Sequence, residues 1–409
     1  MEQLDINRAK ERGPLAITTT VLDSPSRWYG SSSSTSLAIF SGGSAVNALV
    51  GVFQSITDDT AYIMPVSDDG GSTSEIVRIT GGPGIGDLRS RLVRLAETKS
   101  TEADAVHKLL SYRLPAEDTQ PSGTAKAEWV DILEGAHPLW LNISNPYKET
   151  IRAFLNHFNH ELIRNASRRG FFDFRSGSIG NFFLSGSRLF FSSLDAAVFQ
   201  FARITRVPPR TEVLPVVATD HATPTIAVAL RNGERIIGQC EISHPGSVVA
   251  EHAPRLHEIM APIMERSRSN NILFSKTAEM TPLASPIRRV YYVNRERHEM
   301  FPDINPLVAS ALVKKETIIY GCGSLYTSIL PCLVVPGIGR LVADVPSKHT
   351  THPQQPRRKK ILLLNGTTDR ETRGYTAIDF VLAITDALNF SCLAREGGVD
   401  AIRRVATRT

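Results

Sequence analysis

Short apolar runs that stop at glycine or hydroxyl residues recur along the chain. "SLAIF" runs into Ser41-Gly42-Gly43, "AYIMPV" into Ser67-Asp68-Asp69-Gly70-Gly71, "TIIY" into Gly321-Cys322-Gly323-Ser324, and "ILLL" into Asn365-Gly366. Apolar runs bounded in this way read as buried strands. After the first, "SGGSAVNALVGVF" turns on its glycines and continues with helical spacing. The alternation is βαβ grammar, which predicts a parallel sheet with right-handed crossovers.

Longer periods fill in the rest. "TIRAFLNHFNHELIRNAS" predicts an amphipathic helix with Ile151, Phe154, Leu155, Phe158 and Leu162 on one face. "RTEVLPVVAT" and "PTIAVALRNGERIIGQCEI" read as strands, the second a hairpin turning at Asn232-Gly233. "INPLVASALVKK" predicts a helix with Asn305 as N-cap and Pro306 in its first position, and "YTAIDFVLAITDAL" a last one. Residues 1–35 read as a disordered polar tail, 36–395 as one α/β domain and 396–409 as a C-terminal tail. Within the domain, 100–148 reads as a polar insertion and 346–360 as a basic, proline-containing loop. Residues 246–286 carry no clear pattern.

Composition changes this picture little. A formal net charge of +5 over 409 residues is small, and an anionic small molecule explains it as well as nucleic acid does. The dispersed basic residues do not suggest the clustered face that nucleic acid requires. Cys240, Cys322, Cys332 and Cys392 form no CxxC pair, so reduced thiols and a cytoplasmic location are expected. No apolar leader opens the chain, and "SILPCLVVPGIG" is too short and too proline-broken to span a bilayer, so no membrane partner is expected. His157 and His160 lack a metal-site spacing, and no GxSxG elbow is present.

The candidate chemistry lies where the apolar runs end, since open α/β sheets bind ligands at the carboxyl ends of their strands. Gly42 and Gly43 allow backbone amides to approach a phosphate, with Ser44 and Asn47 as side-chain donors, although a plain tight turn explains them too. Asp68 and Asp69 repel each other unless a cation or a donor intervenes, which points to a divalent metal or a polarised hydroxyl; Gly70, Gly71 and Ser72 complete that loop. Asp87, after Gly-Pro-Gly, either caps the next helix or acts in the site, and Arg89, Arg91 and Arg94 are solvated charges or phosphate ligands. Asn181 is a cap or a ligand contact. Gly323, Ser324, Tyr326, Thr327 and Ser328 crowd hydroxyls after a strand, which suits phosphate oxygens. Asn365, Thr367, Glu371 and Thr372 end the next strand and can close the same cleft.

Together "FSGGSAVNALV", "PVSDDGGSTSEI", "GGPGIGDLRSRLVRL", "GSIGNFF", "INPLVASALVKKETIIYGCGSLYTSILPCLVVPGIG" and "LLLNGTTDRETRGYT" resemble the 2-phospho-L-lactate transferase (CofD-like) family, which also includes the gluconeogenesis factors that bind UDP-sugars. The pieces occur in the family's order from about residue 36 to 390. The resemblance implies a Rossmann-like fold with helices on both faces of the sheet. It also implies an activity: a 2-phospholactyl group passes from a guanosine diphosphate-linked donor to a deazaflavin hydroxyl with a divalent metal, Mg2+ being the expected one. The family's acceptor-binding aspartate matches Asp87. Its usual Gly-His before the Gly-Asn motif reads Ser176-Gly177 here, so that histidine's role is lost. The Asp-Asp-Gly-Gly form is more similar to the gluconeogenesis factors, and the long polar insertions resemble those of fungal relatives.

Two functions are therefore expected to compete. One is a transferase that uses a nucleotide diphosphate ester, with Asp68, Asp69 and Asp87 at the chemistry and Asp68 and Asp69 on the metal. The other is a nucleotide-sugar-binding regulator without turnover. Either takes a nucleotide or nucleotide-sugar as partner, and either is compatible with a homo-oligomer. An Asp69 that serves ligand chemistry lies in a cleft with no basic neighbour and tolerates Asn.

Overall fold

The computed structural model describes residues 35–116, 123–243, 282–343 and 358–393, and Thr35 opens the unit to which they belong. Of the tails read at 1–35 and 396–409 all but Thr35 falls outside the described residues, as do most of the basic loop and nearly all of 246–286.

Along the chain, β1 (Leu37–Phe40) leads through a 3-10 turn into α1 (Val50–Ile56). Next, β2 (Thr60–Met64) leads into α2 (Gly71–Thr80) and α3 (Gly86–Leu95). A helical block follows: α4 (Thr101–Ser111), α5 (Thr124–Glu134), α6 (Asn145–Arg169), α7 (Ile179–Phe191) and α8 (Leu194–Ile204). The chain returns as β3 (Glu212–Pro215), β4 (Thr225–Leu230) and β5 (Arg235–Ile237), then α9 (Gln239–Ser243), β6 (Ile287–Val293) and β7 (Glu299–Met300). It finishes with α10 (Pro306–Lys314), β8 (Thr317–Tyr320), a π-helical turn Leu325–Ile329, α11 (Leu330–Leu333), α12 (Ile338–Val342), β9 (Lys359–Leu362) and α13 (Ala377–Leu393).

The expected parallel sheet is there: its order is β3-β2-β1-β8-β9, every pair is parallel, and helices surround it in a Rossmann-like α/β arrangement. Three of the apolar runs form its centre, with Ala38, Ile39, Phe40, Tyr62, Ile63 and Ile318 fully buried; the fourth, read as a buried strand, is instead the edge strand β9, with Ile361 exposed. All its strands run the same way, so the turns after β1, β2, β8 and β9 open on one edge, which is the edge where such sheets take ligands. A second, antiparallel sheet, β5-β4-β6-β7, was not expected beyond its β4–β5 hairpin. That hairpin does turn at Asn232-Gly233, but the stretch after it is helical α9, not strand.

The five apolar positions predicted for α6 are its buried ones. Asn305 caps α10 by accepting from the Leu307 amide at 2.8 Å, with Pro306 next. The stretch read as a polar insertion is corrected: α4 and α5 pack into the core through Val106, Leu109, Trp129 and Ile132. Its mean polarity hid a helical period. At the basic loop's end, Lys359 and Lys360 belong to β9, and Arg358 donates to the Leu341 carbonyl at 2.6 Å. Among the described residues no helix is long and apolar enough to cross a membrane.

Candidate functional site

The site grows out of the β1, β2 and β8 turns and the start of α3. Three α3 side chains draw the carbonyls of the first turn inward. Arg91 Nη2 donates to Gly42 O at 3.1 Å, Ser90 Oγ to Gly43 O at 3.3 Å, and Arg94 Nε to Asn47 O at 2.9 Å. Asn47 answers with its amide on Ser90 Oγ at 3.0 Å, so it secures the turn. Asp87, in the first turn of α3, accepts from the Gly43 amide. It makes no cap bond for its own helix, against the capping expectation. The fit is tight: a Cβ on Gly43 would lie 2.1 Å from Asp87 Oδ1, and one on Gly42 would lie 2.6 Å from Ser328 Oγ.

Asp68 stands on the other side of this recess. Its Oδ1 accepts from the Gly70 amide at 3.1 Å and its Oδ2 from Thr73 Oγ1 at 2.9 Å. The Gly-Pro-Gly-Ile-Gly turn presses against it, so a Cβ on Gly86 would lie 2.1 Å from Asp68 Oδ2. Asp68 and Asp87, both half-buried, are thus brought from two motifs into one glycine-lined recess. Burial pushes the Asp68 carboxyl up, and the Asp69 charge adds to this against the Gly70 amide. Asp87 is pushed up to about 7, first by burial and then by the charge of Asp68, while the Gly43 amide, Arg91 and Arg89 pull the other way.

Asp69 is placed differently from expectation. Among the described residues it has no basic partner, and burial raises its carboxyl. Its oxygens, however, accept from the Gln239 amide at 3.0 Å and the Cys240 amide at 2.9 Å, so it anchors the first turn of α9. The expected Asp68–Asp69 metal pair is therefore split, and Asp87 is the carboxylate that shares the recess with Asp68. Among the described residues no group of three or more His, Cys, Asp or Glu is arranged to hold a metal. Asp69→Ala strands two amides and is expected to cost about 1–3 kcal/mol, a drop of a few degrees in Tm, with Asp69→Asn losing less because one acceptor survives. Thermal melts of the two variants check this, and an Ala variant as stable as wild type would remove the anchoring role.

The hydroxyl-rich stretch after β8 also divides. Its residues sit on a helical turn, so they point in different directions. Tyr326 and Thr327 turn inward: the Tyr326 hydroxyl meets that of Tyr375 at 2.8 Å, and Thr327 Oγ1 donates to Glu371 at 2.5 Å. The amides of Tyr326 and Thr327, where a phosphate was expected, donate to Glu371 Oε2 at 2.8 and 3.2 Å. Asn365 is locked to Gly323 by reciprocal bonds of 2.7 and 2.8 Å. Ser324, Ser328 and Ser44 are the hydroxyls left at least partly open, with no side-chain hydrogen bond among the described residues.

Asn181 is neither cap nor open to a ligand. It is 2% exposed, accepts from Arg89 Nε at 3.1 Å and donates to Ser72 Oγ at 2.9 Å, which ties α7 to α2; the cap of α7 is Ser178. Thr73 and Ser90 were not singled out in the sequence. Their signal was positional, a hydroxyl within the first two turns of each helix that follows a glycine loop.

Comparison with known proteins agrees with this architecture. Two crystal structures of a UPF0052-family protein from Bacillus halodurans superpose with TM-scores of 0.54 and 0.55, covering 88% of this chain and 78% and 79% of theirs at 20% identity. The "Gluconeogenesis factor" of Halalkalibacterium halodurans is 40% identical over 77 residues, 19% of this chain and 20% of its own. An uncharacterized protein of Saccharomyces cerevisiae is 36% identical over 387 residues, 86% of this chain and 83% of its own, as the resemblance to fungal relatives implied. The model of the family described as "2-phospho-L-lactate transferase CofD" matches residues 37–403, from β1 through the whole sheet and the glycine recess, and the chain belongs to that family.

Proposed function

We propose that the chain binds a nucleotide diphosphate ester over the glycine recess and transfers its distal phosphorus-containing group to an acceptor hydroxyl, the bond to the bridging oxygen breaking and the nucleoside monophosphate leaving. The observation that supports this best is the pairing of Asp68 and Asp87 across a floor with no room for side chains. In this reading Ser44, Ser324 and Ser328 hold phosphate oxygens. Asp87, with its carboxyl near neutrality, takes the acceptor's proton. Asp68, held by Gly70 and Thr73, fixes the opposite wall.

The donor set is all hard oxygen, which fits Mg2+ better than a softer ion, and Mg2+ commonly takes one or two carboxylates together with substrate phosphates. When bound by Asp68 and Asp87 it would neutralise charge on the diphosphate. In-line transfer otherwise demands mainly positioning, which the clamped turn supplies.

A second reading, nucleotide-sugar binding without turnover, is favoured by the match to a gluconeogenesis factor across part of the chain. Melting curves with millimolar GDP or UDP-sugars, with and without magnesium, test both; absence of any protection ends both. Product analysis then separates them, since any transferred group removes the regulator. Asp87→Asn is expected to lower magnesium-dependent nucleotide affinity at least about tenfold. Its Tm at pH 8 should equal or exceed that of wild type. The folded Asp87 carboxyl titrates about 7, above its ordinary 3.8, so at pH 8 its ionised form is a liability to the fold.

A further inference from the structure

Two arginines converge beside the recess on the segment that starts α7. Arg89, on α3, lays its aliphatic stem across Gly180, where a Cβ would lie 3.0 Å from Cδ and 3.1 Å from Cγ. Its Nε is spent on Asn181. Arg113, just after α4, forms a β-bridge with Ser178 and donates Nη1 to Ser176 O at 3.1 Å. Both guanidiniums are therefore hung on residues 176–181 of one turn.

Neither arginine is hydrogen-bonded to a carboxylate among the described residues, and each keeps unused N–H groups. The Arg113 charge acts on the Arg89 guanidinium, so the two positive groups oppose each other. Asp68 acts on both, but its oxygens are already bonded to Gly70 and Thr73. The positive end of α7, a helix of 13 residues, adds to the same potential. Two like charges held together with spare donors match a planar or tetrahedral oxyanion, which guanidinium forks bind in bidentate fashion.

We propose that Arg89 and Arg113 form an oxyanion subsite, separate from the Ser44, Ser324 and Ser328 hydroxyls, that receives a phosphate or carboxylate group. Assigning that oxyanion to the far end of the cleft's own ligand rests on the nucleotide reading; the subsite itself does not. It makes the preferred ligand anionic at two places, on either side of Asp68.

The test uses the full-length chain and inorganic phosphate, followed by calorimetric titration against sodium chloride of equal ionic strength, with acetate in a parallel arm. Arg113 is exposed, so Arg113→Gln is expected to keep the wild-type Tm and to lose at least about tenfold in phosphate affinity. Arg89→Gln should lose as much, and the double variant little more. Stronger retention of acetate than of phosphate identifies a carboxylate subsite, and the reverse a phosphate one. Equal affinity of wild type and Arg113→Gln for both anions, or binding of neither phosphate nor acetate by wild type up to about 20 mM, overturns the subsite. Loss of phosphate binding in Arg113→Gln in a protein that no nucleotide protects upholds the subsite and removes only the nucleotide reading.

Discussion

Gly84→Ala is expected to destabilise the protein by roughly 3 kcal/mol or more, and to take the ligand site with it. A Cβ there would lie 2.1 Å from the carbonyl oxygen of Asp68, 2.6 Å from its amide nitrogen and 2.9 Å from its carbonyl carbon. All three are backbone atoms, which no rotamer change can move. The Gly84 amide also donates to Val66 O at 2.8 Å, so the turn cannot retreat without breaking a bond to the end of the β2 segment. Gly51→Ala is the matched control. It lies in α1 with nothing within 4 Å of its Cβ, and Ala there is expected to stabilise by about 0.5–1 kcal/mol. Denaturant unfolding of both variants decides the matter. A Gly84→Ala protein within about 1 kcal/mol of wild type would show that the turn has slack, and the recess would then not be the rigid floor described above.

The second large effect is a pH dependence carried by Glu371. This carboxyl is 3% exposed and accepts from four donors: the Ser243 and Thr327 hydroxyls and the Tyr326 and Thr327 amides. Burial, and then the charge of Asp369, push it up to about 7 from an ordinary 4.5, although the hydroxyls and the amide pull down. Between those two values the folded chain binds the proton more tightly than the unfolded chain does. Its contribution to stability is therefore complete below about pH 4.5 and is lost as pH rises through about 7. Asp87 contributes a slope of the same sign, so the wild-type curve alone cannot isolate Glu371. The difference between wild type and Glu371→Gln does, and it is expected to change by on the order of 2–3 kcal/mol between pH 4.5 and 7.5. Parallel stability curves for the two proteins would mean that Glu371 titrates normally. Glu371→Ala, which strands all four donors, is expected to be the less stable of the two substitutions at every pH.

The sheet was legible because its strands are continuous apolar runs with turn residues behind them. Leu37–Phe40 and Thr317–Tyr320 needed only their own composition to be read as buried. The same holds for α6, where five apolar residues at helical spacing settle the face, and for Asn305-Pro306 at the start of α10. The recess was legible as a set of loops but not as a set of roles. Whether Asp68 or Asp69 faces the recess depends on where Gln239 and Cys240 come to rest, and nothing local to "SDDGG" records that. Tyr326 and Thr327 were misplaced for a related reason. A run of hydroxyls reads as a loop, yet on a helical turn neighbours point apart, and Glu371, from the next strand's loop, claims the Thr327 hydroxyl together with the Tyr326 and Thr327 amides. Arg113 carries no motif at all; its proposed part rests on the bridge to Ser178 and the bond to Ser176 O, both set by the fold.

The strand order has a temporal consequence. Leu37 pairs with Thr60 on one side and with Thr317 on the other. During synthesis β1 can therefore pair with β2 early, but its second edge stays open until β8, at residues 317–320 of 409, has left the ribosome. Closing so long a loop is entropically slow, and an unpaired strand edge is a template for wrong partners. Ser328 packs on Gly42 from beyond β8, so the glycine floor is completed by the same late event that seals β1. Binding competence and escape from the aggregation-exposed stage of folding thus arrive together.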